Sequence, residues 1–101
     1  LLERGVSTLI YNGDLDSAVP SAGMKRALER LEWSGGNRWR KRSMRDWWYG
    51  KQTKKQKGGS IKGGDGLWWV QIRGAGHMVP ADRPEAAVRM LEWWLSGGEI
   101  L

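Results

Sequence analysis

Two kinds of apolar spacing alternate along this chain. Val6-Ser7-Thr8-Leu9-Ile10-Tyr11 is β-branched and nearly continuously apolar, which predicts a strand covered on both faces, as in a parallel sheet. After Pro20 and Ser21, Met24, Ala27, Leu28 and Leu31 fall at i, i+3, i+4 and i+7. That spacing predicts an amphipathic helix with Lys25 and Glu29 as an exposed pair and Ser34-Gly35-Gly36 as its stop. Through residues 37–66 the periodicity lapses into a basic, Gly-rich, Trp-bearing stretch. It reads as a long irregular insertion or an exposed hairpin, and residues 51–62 are assigned no fixed structure. Leu67-Trp68-Trp69-Val70-Gln71-Ile72 resumes as a strand, and residues 73–80 form a turn. A last helix begins near Asp82 to Pro84, where Asp82 and Glu85 have capping-box spacing. Ala87, Met90, Leu91 and Trp94 form its apolar stripe, Glu85 and Arg89 an i,i+4 pair, and Gly97-Gly98 its end.

This order predicts an α/β fold in three parts. Residues 1–36 hold a strand, an acid-bearing loop and a helix; residues 37–66 are the insertion; residues 67–101 hold a strand, a histidine-bearing loop and the C-terminal helix. Two doubly apolar strands and two amphipathic helices leave faces that 101 residues cannot cover. The sheet is therefore expected to be incomplete without an upstream segment or a partner chain, and the isolated chain unstable or sticky. The opening Leu1-Leu2-Glu3-Arg4-Gly5 has no initiating Met and no signal-like apolar core, so a processed piece or a fragment is expected.

The net charge of +6 changes little once it is located. Residues 38–57 hold nine of the seventeen basic side chains against one acid, Asp46, a local +8 that leaves the remainder at −2. Trp39, Trp47 and Trp48 interleave with these bases as on a stacking-and-phosphate surface. The weightier reading has the tryptophans anchor the insertion on a missing domain while the lysines stay solvated, so nucleic acid is an unlikely partner and an acidic protein partner stays open. With no cysteine, this chain can be joined to another only non-covalently, and no apolar run is long enough to span a membrane.

His77 is the only histidine, framed by Gly74-Ala75-Gly76 before it and Met78-Val79-Pro80 after it. An imidazole is the side chain best matched to moving protons near neutral pH, and the glycines let the backbone turn to present it. Its candidate partner is an acid in Asn12-Gly13-Asp14-Leu15-Asp16, directly after the first strand. Asn12, Gly13, Gly74 and Gly76 are read as backbone-shaping, and Val79 and Pro80 as fixing the exit of the histidine loop. Asp14 is read as a turn carboxylate bonded to local backbone N–H groups. No serine lies in a Gly-x-Ser-x-Gly elbow, Gly5-Val6-Ser7-Thr8-Leu9 being a half match at a strand start.

Together, Tyr11-Asn12-Gly13-Asp14-Leu15-Asp16, Gly74-Ala75-Gly76-His77-Met78-Val79-Pro80 and the following Asp82-Arg83-Pro84 resemble the C-terminal part of the serine carboxypeptidases. The resemblance runs nearly end to end and is loosest in the basic middle. It implies the closing part of an α/β-hydrolase sheet, with Asp16 and His77 as two members of a Ser-His-Asp triad and a peptide substrate. The nucleophile, oxyanion hole and carboxylate-binding groups would then lie on a Ser-bearing large chain of the same precursor. It implies no cofactor or metal, and a vacuolar, lysosomal or secreted setting. Met78 would line the leaving-group side of the cleft, with simple packing as the other reading. Acyltransferases and lyases of the same scaffold, and a non-catalytic basic binding fragment, stay open as alternatives.

Overall fold

Leu67–Ile72 is apolar toward both sides and becomes the strand on which the molecule is built. In the computed structural model, residues 6–15, 21–50, 54–76 and 78–96 are described. Their elements run β1 (Thr8–Gly13), α1 (Ser21–Glu29), α2 (Gly36–Arg40), β2 (Arg45–Tyr49), β3 (Gln56–Gly64), β4 (Leu67–Ile72), α3 (Val79–Asp82) and α4 (Pro84–Leu95). The strands form one open sheet in the order β1-β4-β3-β2, with β1 parallel to β4 and the other pairs antiparallel. The domain is thus mixed α/β with a four-stranded open sheet.

Alternation along β4 sends its side chains into two cores. Trp68, Val70 and Ile72 pack with Ala86, Ala87 and Met90 of α4 on one face. Leu67 and Trp69 pack with Leu28 of α1 and Trp39 of α2 on the other. Of the two strands expected to be buried on both faces, only β4 is, and the run at residues 6–11 is not. β1 pairs only with β4 among the described residues, and its Tyr11 is exposed.

The stretch assigned no fixed structure, residues 51–62, runs into a nine-residue strand, β3, paired on both sides. Its glycines erased the apolar alternation because neighbouring rings fill the places their side chains would take. A Cβ on Gly58 would lie 2.2 Å from the Trp47 ring, and one on Gly63 1.8 Å from the Trp68 ring. Asp65-Gly66 closes the β3–β4 hairpin with φ of 54° and 91°, the left-handed pair a two-residue turn requires. Asp65 is bound by Arg38 at 3.2 Å and Arg42 at 3.1 Å, while Arg42 also donates to the Gly63 carbonyl at 2.8 Å. Lys57 pairs with Asp46 across the β2–β3 ladder at 3.1 Å. Part of the basic segment's charge is therefore held within the hairpin. Trp39 and Trp47 are buried in this chain's own cores, whereas Trp48 is exposed.

The helices depart from their expected limits for local reasons. α1 ends at Glu29, because Arg40 donates to the carbonyls of Glu29 and Leu31 at 3.2 and 3.3 Å, taking up acceptors at the helix C-terminus. Leu31 consequently leaves the buried stripe and is exposed, although the Lys25–Glu29 pair forms at 4.0 Å. α4 begins at Pro84 with Arg83 as its N-cap and no side-chain cap, so the Asp82–Glu85 capping box does not form. Arg89 pairs with Glu92 at 3.2 Å rather than forming the expected pair with Glu85, and Leu91 is exposed.

Candidate active site

Parallel neighbours end on the same side of a sheet, and the register pairs Gly13 with Ile72 at the carboxyl ends of β1 and β4. The loop after β1 and the loop after β4 must therefore meet. Backbone bonds continue the ladder past the strands: Asp14 N–H donates to the Ile72 carbonyl at 3.0 Å and Leu15 N–H to the Ala75 carbonyl at 2.9 Å. Asp16 and His77, the two catalytic candidates, lie outside the described residues, each next to a residue of this junction.

Gly13 permits the close approach. A Cβ there would stand 2.0 Å from the Ala75 carbonyl oxygen, so only a residue without one fits against the histidine loop. Asn12 is buried, and its Oδ1 accepts the Trp69 indole N–H at 2.8 Å, tying the end of β1 to the middle of β4. Gly74 has φ of 73°, the left-handed conformation that turns the chain out of β4. Gly13 and Gly74 shape the backbone, as their sequence context suggests, whereas Asn12 acts through its side-chain bond to Trp69.

Asp14 bonds far from its own loop. Its Oδ1 accepts the N–H of Gly74, 60 residues away, at 2.8 Å. Asp82, instead of capping α4, accepts the N–H of Gly76 through Oδ2 at 2.8 Å. Arg83 Nε donates to the Gly74 carbonyl at 3.4 Å. Neither aspartate was legible as a holder of the histidine loop, because a side-chain acceptor role leaves no periodic trace in sequence. The one available signal is position: Asp14 lies within the first motif and Asp82 just after the second.

Met78 follows His77 and N-caps α3, its carbonyl accepting the N–H groups of Ala81 at 3.1 Å and Asp82 at 3.0 Å. Its side chain is 62% exposed beside this junction. Val79 is buried in the α4-side core and so anchors the exit of the loop. A small polar hollow of about 200 Å³ adjoins Asp14, lined also by Gly59, Ser60, Gln71 and Arg73. Among the described residues no cluster of three or more His, Cys, Asp or Glu side chains is placed to hold a metal ion, and no helix is long and apolar enough to cross a membrane.

An open α/β sheet that brings two loops together beyond the carboxyl ends of adjacent parallel strands has the general form of an α/β enzyme site. The family model for serine carboxypeptidases matches residues 1–97, and the chain belongs to the serine carboxypeptidase family. It is 37% identical over 97 residues to carboxypeptidase Y of Candida albicans, covering 96% of this chain and 17% of that protein. Against a vacuolar serine-type carboxypeptidase of Saccharomyces cerevisiae the identity is 36% over 97 residues, covering 96% of this chain and 19% of the relative. Serine carboxypeptidase-like 33 of Arabidopsis thaliana is 35% identical over 101 residues, covering 99% of this chain and 19% of that protein. The chain thus spans about a fifth of the length of the curated relatives it matches.

Proposed function

We propose that this chain is the C-terminal part, or the small chain, of a serine-type carboxypeptidase, contributing Asp16 and His77 to a triad whose serine lies on another segment or chain. The observation that carries this reading is the hydrogen-bonded junction of the two loops, with Leu15 N–H on the Ala75 carbonyl at 2.9 Å. It brings the residue before Asp16 against the stretch leading to His77. Asp16 accepts the Nδ1 proton of the imidazole, selecting the tautomer with a free Nε2 and stabilising the imidazolium. His77 takes the serine proton as the oxygen attacks the scissile carbonyl, then delivers it to the departing amine. Water attacks the acyl-enzyme through the same base, releasing the shortened peptide.

Family membership supports peptide hydrolysis at a C-terminus, and the large share of each relative beyond the matched region leaves room for the nucleophile elbow and oxyanion hole. The large chain would associate without covalent linkage, since no cysteine is present here. Exposed Met78, beside the proposed base, would face the departing residue. A vacuolar, lysosomal or secreted setting follows from the same family, one relative being a vacuolar enzyme.

The test is purification from the native source without denaturant, labelling with a serine-directed fluorophosphonate, and mass identification of every co-purifying chain. A labelled elbow serine on the same or an accompanying polypeptide is expected. His77→Ala should abolish labelling while leaving assembly intact, and Asp16→Asn should lower kcat by about 10⁴-fold. A folded, unlabelled chain purified alone would remove the catalytic reading.

A further inference from the structure

We infer that Asp14 and Asp82 are positioning residues: two carboxylates that clamp the loop leading to His77 at alternate backbone N–H groups and hold it in register with the loop leading to Asp16. The inference rests on the triad reading above and adds to it the means by which the two loops keep their spacing.

The loop between β4 and α3 leaves the sheet through the left-handed turn at Gly74. Beyond Ile72 the pairing with the β1 side continues through a single backbone bond to Ala75, so the other polar backbone groups of residues 74–76 need side-chain partners. The partners come from two places in the fold, the loop after β1 and the end of α3. The N–H of Gly74 goes to Asp14, beyond β1, and its carbonyl takes Arg83, between α3 and α4. The carbonyl of Ala75 takes the backbone of Leu15, and the N–H of Gly76 goes to Asp82, at the end of α3. Three consecutive residues are thus fixed from two sides, and the two N–H groups go to ionisable carboxylates at 2.8 Å, within the range of charge-assisted bonds.

Asp14 has a second consequence, because it lies two residues before Asp16 in the same short loop. Its bond makes the acid-bearing loop hold the histidine-bearing loop directly, so a shift in one is transmitted to the other. Asp82 supplies the opposing hold from the helical side, one turn after the histidine. Both aspartates are solvent-exposed, and neither forms a salt bridge among the described residues. Catalytic groups must be held to within about half an ångström, and a displacement of about 1 Å lowers turnover by about a hundredfold. A pair of side-chain acceptors on a glycine-rich loop meets that need where glycine itself supplies none.

The experiment uses the complete enzyme, nucleophile-bearing part included, with fluorophosphonate titration to count competent sites and an N-blocked dipeptide bearing a free C-terminal carboxylate as substrate. Asp14→Ala and Asp82→Ala should each lower kcat per titrated site by about ten- to a hundredfold while KM stays within about twofold. Asp14→Asn and Asp82→Asn keep a carbonyl acceptor in place and should recover most of that loss. A purely structural role would lower the number of competent sites and the melting temperature without this split between kcat and KM, and that result overturns the inference. Where an alanine variant does not fold, the glutamate variant, which keeps the charge but moves the acceptor by one methylene, must show the same kcat-selective loss. His77→Ala serves as the reference. If it retains full kcat, the triad reading falls and the clamp with it; if it is silent while the aspartate variants turn over normally, the clamp alone falls.

Discussion

At the scale of single residues, Gly13 sits where the two motif-bearing loops meet and has no room for a side chain. Its missing side chain is the space taken by the Ala75 carbonyl, at 2.0 Å from where a Cβ would sit. The obstacle is backbone, which cannot rotate away as a side-chain tip can. Gly13→Ala should therefore push the histidine loop off β1 and destabilise the fold by about 1–3 kcal/mol, the usual range for overpacking. Denaturant unfolding measures this, and an unchanged midpoint would show that the loop yields at no cost. The glycine's context marked it as a turn former, but the neighbour it accommodates lies over 60 residues downstream and was not visible in the chain. Asn12 teaches the same lesson. Its buried bond to the Trp69 indole decides its role, and nothing in Tyr11-Asn12-Gly13 names that partner.

At the scale of elements, β3 shows how far packing can replace propensity. Gln56–Gly64 has four glycines, yet it lies between β2 and β4, the rings of Trp47 and Trp68 covering Gly58 and Gly63 while the Gln71 carbonyl and the Arg42 guanidinium take the places at Gly59 and Gly64. Lys62 lies on this strand, buried, with Nζ 4.2 Å from the centroid of the Trp39 ring. Desolvation lowers its pKa below the ordinary lysine value; Glu29 acts in the opposite direction and Lys25 in the same one. A lowered pKa means that the folded state binds this proton less tightly than the unfolded chain. The resulting penalty is fully present at neutral pH, where both states are charged, and fades as pH rises through the folded value toward 10.5. Lys62→Met should accordingly stabilise the protein relative to wild type most at neutral pH, less the lost cation–π contact, and by less as the solution turns alkaline. Unfolding curves of both proteins across that range provide the check; a difference that stays constant with pH would mean Lys62 is not desolvated.

At the scale of the whole molecule, the open edge is the feature that matters. β2 closes one side of the sheet with a bulged strand, and β1 lies at the other side, paired only with β4 among the described residues. Tyr11 is exposed on that strand, and Val6 and Leu15 are exposed just outside it. Unpaired edges template association. The 101-residue chain isolated on its own should therefore self-associate in a concentration-dependent way, and Tyr11→Lys should weaken the association. Sedimentation velocity distinguishes the cases, and a chain that remains monomeric at all concentrations would show that β1 needs no further strand.

Several features of this protein were determined by sequence alone because they depend on order and spacing. The burial of β4 followed from its largely apolar run, the last helix from its stripe, and family membership from the Gly-Asp-x-Asp and Gly-Ala-Gly-His-Met-Val-Pro strings. The lack of a Gly-x-Ser-x-Gly elbow was equally plain. Asp65-Gly66, flanked by strands, is the usual sequence of a two-residue hairpin, and it joins part of the stretch read as an irregular insertion or exposed hairpin to the sheet. The tertiary structure alone decided what the two flanking aspartates do, why a glycine-rich stretch is a strand, and where α1 stops. Periodicity records which side of an element faces a core, and it is local. The Gly74 N–H that donates to Asp14 lies 60 residues away and is reached only once parallel pairing has aligned the ends of β1 and β4, while a ring laid over a bare backbone and an arginine on a helix end join nearer segments through turns whose course periodicity does not record.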